Sequence, residues 1–445
     1  MVLQNNRVVP ESVATTPTEI SPQSENEVVR RADAVSVGVS SVEDNGGSST
    51  KVNYNDKTRF RPKVFSAWAM GMATVLGGTY YGWNEGLKIG FGGYLVAQVL
   101  MGLAYIVLVF GLAEIVSSVS FSGGAYGMAR VMSGFYVGFL VASFELTEYI
   151  AYTAFSYQFV AEFLCEKMSW DEVYKPVVAL VCYVISALFV LESNHVYWTF
   201  SNLLGVFCVV GLLIYILGSL PYTNISANAS LQVDIENGSS MSNWFKGGMS
   251  ESMTILPLTT WGFGGIESGA LVTDLIYKPR KNLSRGISLG VLTLFALMML
   301  TMFVCVSLSP GLQSAKLDDD MTIVTNIHFM EFGYEKMGLD PIIAEWMMLP
   351  AQIAMAFGFI LPTAKLFQAM SCSKLIPQEL GGTKINVAFC YTLPISFALC
   401  LCGFYIPNFN IENIPIFFAM FTYLSDLFAY CKMQTEFTSM EREFR

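Results

Sequence analysis

Charge is what this 445-residue chain has least of: Asp, Glu, Lys and Arg make up 13% of it, against about 25% in an ordinary soluble protein. The shortage is deeper than the average, because many of the charges crowd into residues 1–58. Only two histidines occur, His195 and His328, which gives little support to histidine catalysis or a histidine metal centre. The nine cysteines fall almost entirely inside apolar runs, which argues against a disulfide framework. Cys400 and Cys402 stand two apart, which is not a zinc spacing. No phosphate-cradling loop and no nucleophile elbow is found, so no enzyme is expected, and no cofactor or metal. The net charge is -10 and no basic patch suggests nucleic acid.

Apolar residues are abundant, at 53% of the chain, with 33 Phe, 21 Tyr, 7 Trp and 23 Met. They gather into ten stretches, each long enough to cross about 30 Å of hydrocarbon. The expected spans are 64–85, 91–119, 134–164, 174–192, 196–219, 249–276, 284–309, 343–371, 385–405 and 411–431. Residues 1–58 are rich in Ser, Thr, Val, Glu and Asn and contain no long apolar run. They are expected to form a disordered cytoplasmic tail without a signal peptide, and residues 59–445 a single domain embedded in the lipid bilayer.

Lys and Arg in the short loops set the orientation. With the N-terminus inside, the inner loops hold Arg59, Arg61 and Lys63, then Arg130, then Lys278, Arg280, Lys281 and Arg285, then Lys374 and Lys384. The outer loops are poor in basic residues and include Asp318-Asp319-Asp320. The loop at 220–248 then falls outside and carries glycosylation sequons at Asn224, Asn228 and Asn237. Together these features predict a glycosylated eukaryotic plasma-membrane protein. Asn282 also begins a sequon, but on the inner side.

Two spans carry clusters of glycine. The first contains Gly77-Gly78-Thr79-Tyr80 and the sixth Trp261-Gly262-Phe263-Gly264-Gly265-Ile266-Glu267. Glycine costs about 1 kcal/mol relative to alanine inside a helix. Unwinding there frees backbone groups that lipid cannot satisfy, so they must face protein, water or a solute. Two such segments opening successive five-span units, and running in opposite directions, predict an inverted-repeat transporter with a midplane site. The half-helix N-termini would present partial positive charge to a carboxylate or other electron-rich group of the solute.

The stretch Trp261–Ser268, followed by Lys278-Pro279-Arg280-Lys281-Asn282, resembles the sixth-helix signature of the amino acid–polyamine–organocation superfamily. Ser122-Gly123-Gly124-Ala125-Tyr126 is similar to that family's loop after the second helix. Tyr81-Gly82-Trp83-Asn84-Glu85-Gly86-Leu87 and the terminal Met440-Glu441-Arg442 resemble its ethanolamine-permease branch. The resemblance covers roughly residues 60–445. It implies an all-α membrane protein with a LeuT-like bundle of five plus five inverted helices, discontinuous at helices 1 and 6. Two further helices usually follow, so the chain is expected to be cut short after its tenth span. The resemblance also implies proton-coupled symport or exchange of amino acids and amines.

The resemblance assigns Gly77, Gly78 and Thr79 to backbone capture of a carboxylate, and Tyr80 next to them is expected at the solute. It makes Trp261 the aromatic that closes over the solute, beside Gly262, Phe263 and Gly264. As an intramembrane carboxylate Glu267 is functional by default, and the resemblance gives it proton coupling, or else the role of counter-charge to an ammonium. Independently, Glu145, Glu148, Tyr149 and Tyr152 share one helical face by their spacing. Two carboxylates there make a negative lining suited to a cation, and close together they cannot both stay ionised. We therefore expect Glu148 and Tyr152 at the solute and Glu145 beside Glu267 in coupling or counter-charge. Glu114 and Asp426 are further candidates, and Asp274 is expected at the inner interface.

The fifth span lacks the lysine that replaces a cation in some family members, and residues 351–362 lack a Ser/Thr pair for sodium. Proton coupling or exchange is therefore preferred to sodium. The expected function is secondary transport of an amino acid or small amine by alternating access. A non-transporting receptor or accessory subunit on the same fold is the rival, with a channel and a membrane enzyme behind it. Oligomeric state is not readable from the sequence.

Overall fold

The computed structural model describes residues 61–80, 83–118, 123–192, 194–234, 240–246, 248–313, 326–381 and 385–436. The expected tail, Tyr81-Gly82, Ser122, Asn237, the Asp318–Asp320 triplet and Met440–Arg442 lie outside them.

Helices cover each of the ten expected stretches. The first span is α1 (Val64–Val75) and α2 (Gly77–Tyr80), continued by a 3-10 turn at Trp83–Ile89. Next come α3 (Phe91–Ser118), a short α4 (Gly124–Ser133), and α5 (Phe135–Lys167). They are followed by α6 (Lys175–Glu192) and α7 (Asn194–Ser219). The 220–248 loop holds the only β structure among the described residues, an antiparallel hairpin of β1 (Leu231–Asp234) and β2 (Ser240–Asn243). The sixth span is α8 (Gly248–Thr254), α9 (Leu256–Thr259) and two 3-10 segments, Thr260–Gly262 and Ile266–Leu275. The remaining helices are α10 (Pro279–Ser307), α11 (Asn326–Lys336), α12 (Ile342–Cys372), α13 (Ile385–Tyr405) and α14 (Asn413–Glu436).

Among the described residues, seven helices are long and apolar enough to cross a membrane: α3, α6 (reaching back to Glu172), α7 (running on to Tyr222), α10, α12, α13 and α14. Three of the ten expected spans fall outside that set, for two physical reasons. The first and sixth are divided into short pieces. The third is 33 residues long, but carries Glu145, Glu148, Glu162, Glu166 and Lys167.

Burial separates the centre of the bundle from its rim. The most apolar stretch of α12 is 78% buried, whereas that of α6 is 17% buried. Val177, Leu180, Val184 and Leu188 of α6 are exposed and face where lipid would be. α12 packs on α5, α1, α7 and α13. It is tied at both ends by ion pairs: Lys167 Nζ of α5 to Glu345 at 2.8 Å, and Lys365 Nζ to Asp274 at 2.6 Å. Past its C-terminus, Arg130 of α4 donates to the Ser373 carbonyl at 3.2 Å.

Candidate functional site

The sixth span opens at Phe263–Gly265. Phe263 has φ -139°, and Gly265 has φ +97°. The latter conformation is open to glycine but strained for a residue with a side chain. The Gly264 N–H still reaches the Thr260 carbonyl at 2.9 Å. The Gly265 N–H instead meets Glu267 Oε2 and Tyr423 Oη, each at 3.2 Å. The backbone donor that the helix gives up is thus taken by side chains.

The first span breaks less than expected. Between α1 and α2 the interruption is one residue, Leu76, which keeps right-handed helical angles and whose N–H still reaches the Met72 carbonyl at 3.0 Å. The Thr79 N–H closes a tight turn onto the Leu76 carbonyl at 3.0 Å. The glycines here act mainly by clearance. A Cβ added at Gly78 would lie 2.1 Å from the Trp261 carbonyl oxygen, so the two spans touch backbone to backbone. Gly77 is looser, with its nearest neighbour Met355 Sδ at 3.4 Å from such a Cβ. Thr79 is buried and its hydroxyl has no hydrogen-bond partner. Tyr80 points to α7, donating to the Cys208 carbonyl at 2.7 Å.

The sixth-span opening is walled by aromatic rings. Trp261 meets Tyr152 edge-on at 5.8 Å and leans on Phe155 at 5.4 Å. Tyr152 stacks on Phe359 of α12 at 4.7 Å and 5°. Phe263 stacks on Tyr105 of α3 at 5.3 Å, and Tyr105 meets Tyr423 edge-on at the same distance. Gly264 clears the Tyr152 hydroxyl, which would be 2.5 Å from an added Cβ.

Against these rings lie four buried carboxyls. Glu145 and Glu148 come from α5, Glu267 from the second 3-10 segment and Asp426 from α14; none is more than 2% exposed. The Tyr149 hydroxyl is 3.3 Å from an oxygen of Glu145 and 3.3 Å from one of Glu267, so its single proton serves one at a time. Glu145 also accepts from the Tyr126 N–H at 3.2 Å. That donor lies in the first turn of α4, so Glu145 caps a helix N-terminus. Glu148 neighbours Glu267 and Glu145, and Asp426 neighbours Glu145 and Glu267. None of the ion pairs found among the described residues involves these four.

The structure thus brings together Gly78, Trp261, Gly262, Phe263, Gly264, Glu145, Glu148, Tyr152 and Glu267 from the expected set, and turns Tyr80 away. Glu114 is tied elsewhere, accepting from Tyr430 and Gln434 at 3.0 Å each. Asp426, named only as a further candidate, sits inside the cluster. Sequence reasoning missed Tyr105, Tyr423 and Gln98, whose buried amide makes no hydrogen bond and faces Gly262. A polar side chain inside an apolar run was the signal for Gln98 and Asp426. Of the expected glycosylation sites, Asn224 is exposed, whereas the Asn228 side-chain nitrogen is engaged with the Ser307 carbonyl at 2.9 Å.

The profile of the family described as "Amino acid permease" matches residues 63–438. The chain belongs to that family and is an integral, multi-pass membrane protein. It is 25% identical, over 248 residues, to an uncharacterized transporter of Rhizobium meliloti (strain 1021). That alignment takes in 55% of the chain, which spans about half, 52%, of that relative's length. Among solved structures it is similar to Mhp1, a nucleobase-cation-symport-1 family transporter in a closed conformation with bromovinylhydantoin bound. The TM-score is 0.53 at 11% identity, over 84% of this chain and 77% of that one. This likeness shows the fold, the LeuT-like bundle that the resemblance implied.

Proposed function

We propose that this protein is a secondary active transporter of a small amine-bearing solute, working by alternating access with proton coupling or exchange. The observation that carries the reading is the meeting of four buried carboxyls with an aromatic wall at the opening of the sixth span. An ammonium suits both, through charge and through the ring faces of Trp261 and Tyr152. Glu148 stands one helical turn before Tyr152 on α5. Glu267 and Glu145 supply counter-charge from beside it. Gly262, Phe263 and Gly264 offer backbone groups, while Gly77, Gly78 and Thr79 shape the facing side. A solute without a carboxylate, of ethanolamine type, fits this negative lining better than an amino acid does, because Gly78 lies flush on the Trp261 carbonyl. We place the protein in the plasma membrane with its N-terminus cytoplasmic, following the Lys and Arg pattern.

Uptake of radiolabelled ethanolamine, choline, polyamines and amino acids into proteoliposomes tests this at two pH values. Saturable uptake of an amine is expected, and Glu267→Gln should lower it by tenfold or more, by roughly 1.4 kcal/mol or more. Binding of a solute without any flux would favour the receptor reading instead.

A further inference from the structure

The four carboxyls around the sixth-span opening are not equivalent. Glu145 accepts from the Tyr126 backbone N–H and Glu267 from the Gly265 backbone N–H, each at 3.2 Å. Backbone N–H groups are donors that serve an anion. Glu148 and Asp426 have no such donor. All four of their carboxyl oxygens are buried and none accepts from a backbone or basic donor; the polar groups against Glu148 are the Glu267 carboxyl and the Thr422 hydroxyl. A negative charge left bare in this way inside a membrane is the costly case, whereas a protonated carboxyl is not.

Among the described residues no basic side chain is found against them. The groups facing them are Glu145, Tyr149 and Tyr152 of α5, Tyr105 of α3, Glu267 of the sixth span, and Thr422 and Tyr423 of α14. Arg130 of α4 goes to Ser373, and Lys432 of α14 to the Met132 carbonyl and Glu436. Among the described residues no group of three His, Cys, Asp or Glu side chains is placed to hold a metal ion. Protons and an organic cation are occupants that suit this lining of carboxyls and rings.

A second observation separates Glu148 from Asp426. The Tyr152 hydroxyl, one turn along α5 from Glu148, is buried at 1% exposure and unpartnered, and its ring meets Trp261 edge-on. An ammonium on Glu148 would find that hydroxyl as an acceptor and those rings as walls. Asp426 arises from α14, whose Tyr423 packs on Tyr105 rather than on Trp261.

We propose that Glu148 is the exchangeable proton site, that Asp426 stays protonated as its neutral neighbour, and that a solute ammonium displaces the Glu148 proton. In that step the Glu148 O–H bond breaks and the proton leaves to solvent on the side where the site is open. The solute R–NH3+ then pairs with the carboxylate left behind, so the charge of the site is the same empty and loaded. The inference rests on the amine-transporter reading and gives it a direction: proton and solute move oppositely.

The test uses the full chain in lipid nanodiscs, with ethanolamine, methylamine, putrescine and alanine as probes. Binding is titrated in weak buffer with a pH-indicator dye. About one proton should be released per ethanolamine bound, and the apparent Kd should rise about tenfold for each pH unit of acidification while Glu148 is protonated. Glu148→Gln should abolish the release and flatten the pH dependence. Asp426→Asn should keep one proton released per solute, whatever it does to affinity. Binding to the unmodified protein without proton release, release that survives Glu148→Gln, or release lost in Asp426→Asn each overturn the proposal and leave the transporter reading standing. If no probe binds or is taken up, the transporter reading fails and this inference with it.

Discussion

The two glycine clusters are alike in composition and opposite in use. In the sixth span the glycines change the path of the chain: Gly265 takes φ +97° and the helix opens beside it. Between α1 and α2 the path hardly changes, and Gly78 matters because the Trp261 carbonyl occupies the place of its missing side chain. One cluster supplies conformation and the other clearance. Composition and spacing alone cannot tell these apart, since both place glycine where a membrane helix would otherwise avoid it.

Substitution by alanine breaks the comparison in graded steps. Gly78→Ala should have the largest effect, because the new methyl meets backbone that has no rotamer to retreat into. We expect a loss of about 3 kcal/mol together with loss of uptake, read as a drop in apparent Tm of purified protein and in initial uptake rate. Gly265→Ala should come second, at about 2 kcal/mol, from the left-handed backbone angle. Its neighbour at 2.3 Å is the tip of the buried Phe359 ring, a side chain that has to shift rather than backbone. Here activity should fall further than stability, and equal falls would argue that the opening is structural only. Gly77→Ala should be the mildest, within about 1 kcal/mol and in the stabilising direction, since Met355 stands at ordinary contact distance and alanine favours helix. A severe loss of Tm in Gly77→Ala would erase the distinction between the two clusters.

Much of the architecture was legible in the sequence, because a membrane span announces itself by length and apolarity. The same criterion explains the three spans that fail it: acids in α5 and interruptions in the first and sixth are what a functional bundle centre requires, and they dilute the signal. The shared face of Glu145, Glu148, Tyr149 and Tyr152 was readable from helical spacing, and all four are buried. Their partners were not. Asp426 lies far along the chain from Glu145, and no periodicity links residues on spans that meet only after folding. The depth of each glycine break was hidden for a similar reason, since clearance depends on what packs opposite. Tyr80, adjacent to the glycines in sequence, turns to Cys208 because the short α2 points its side chain at α7.

The ion pairs on α12 have a mechanical consequence. Glu345 and Lys365 are separated by about 30 Å of helix at 1.5 Å per residue, and each is held by a different neighbour, Lys167 of α5 and Asp274 of the sixth span. A rod clamped near both ends cannot tilt without releasing a clamp. Each partly exposed pair is worth about 1 kcal/mol or less, which corresponds to roughly a fivefold change in a two-state balance. The order in which the clamps let go would then set which end of the bundle yields first, and two weak contacts remote from the candidate site would act as the escapement of the proposed transport cycle.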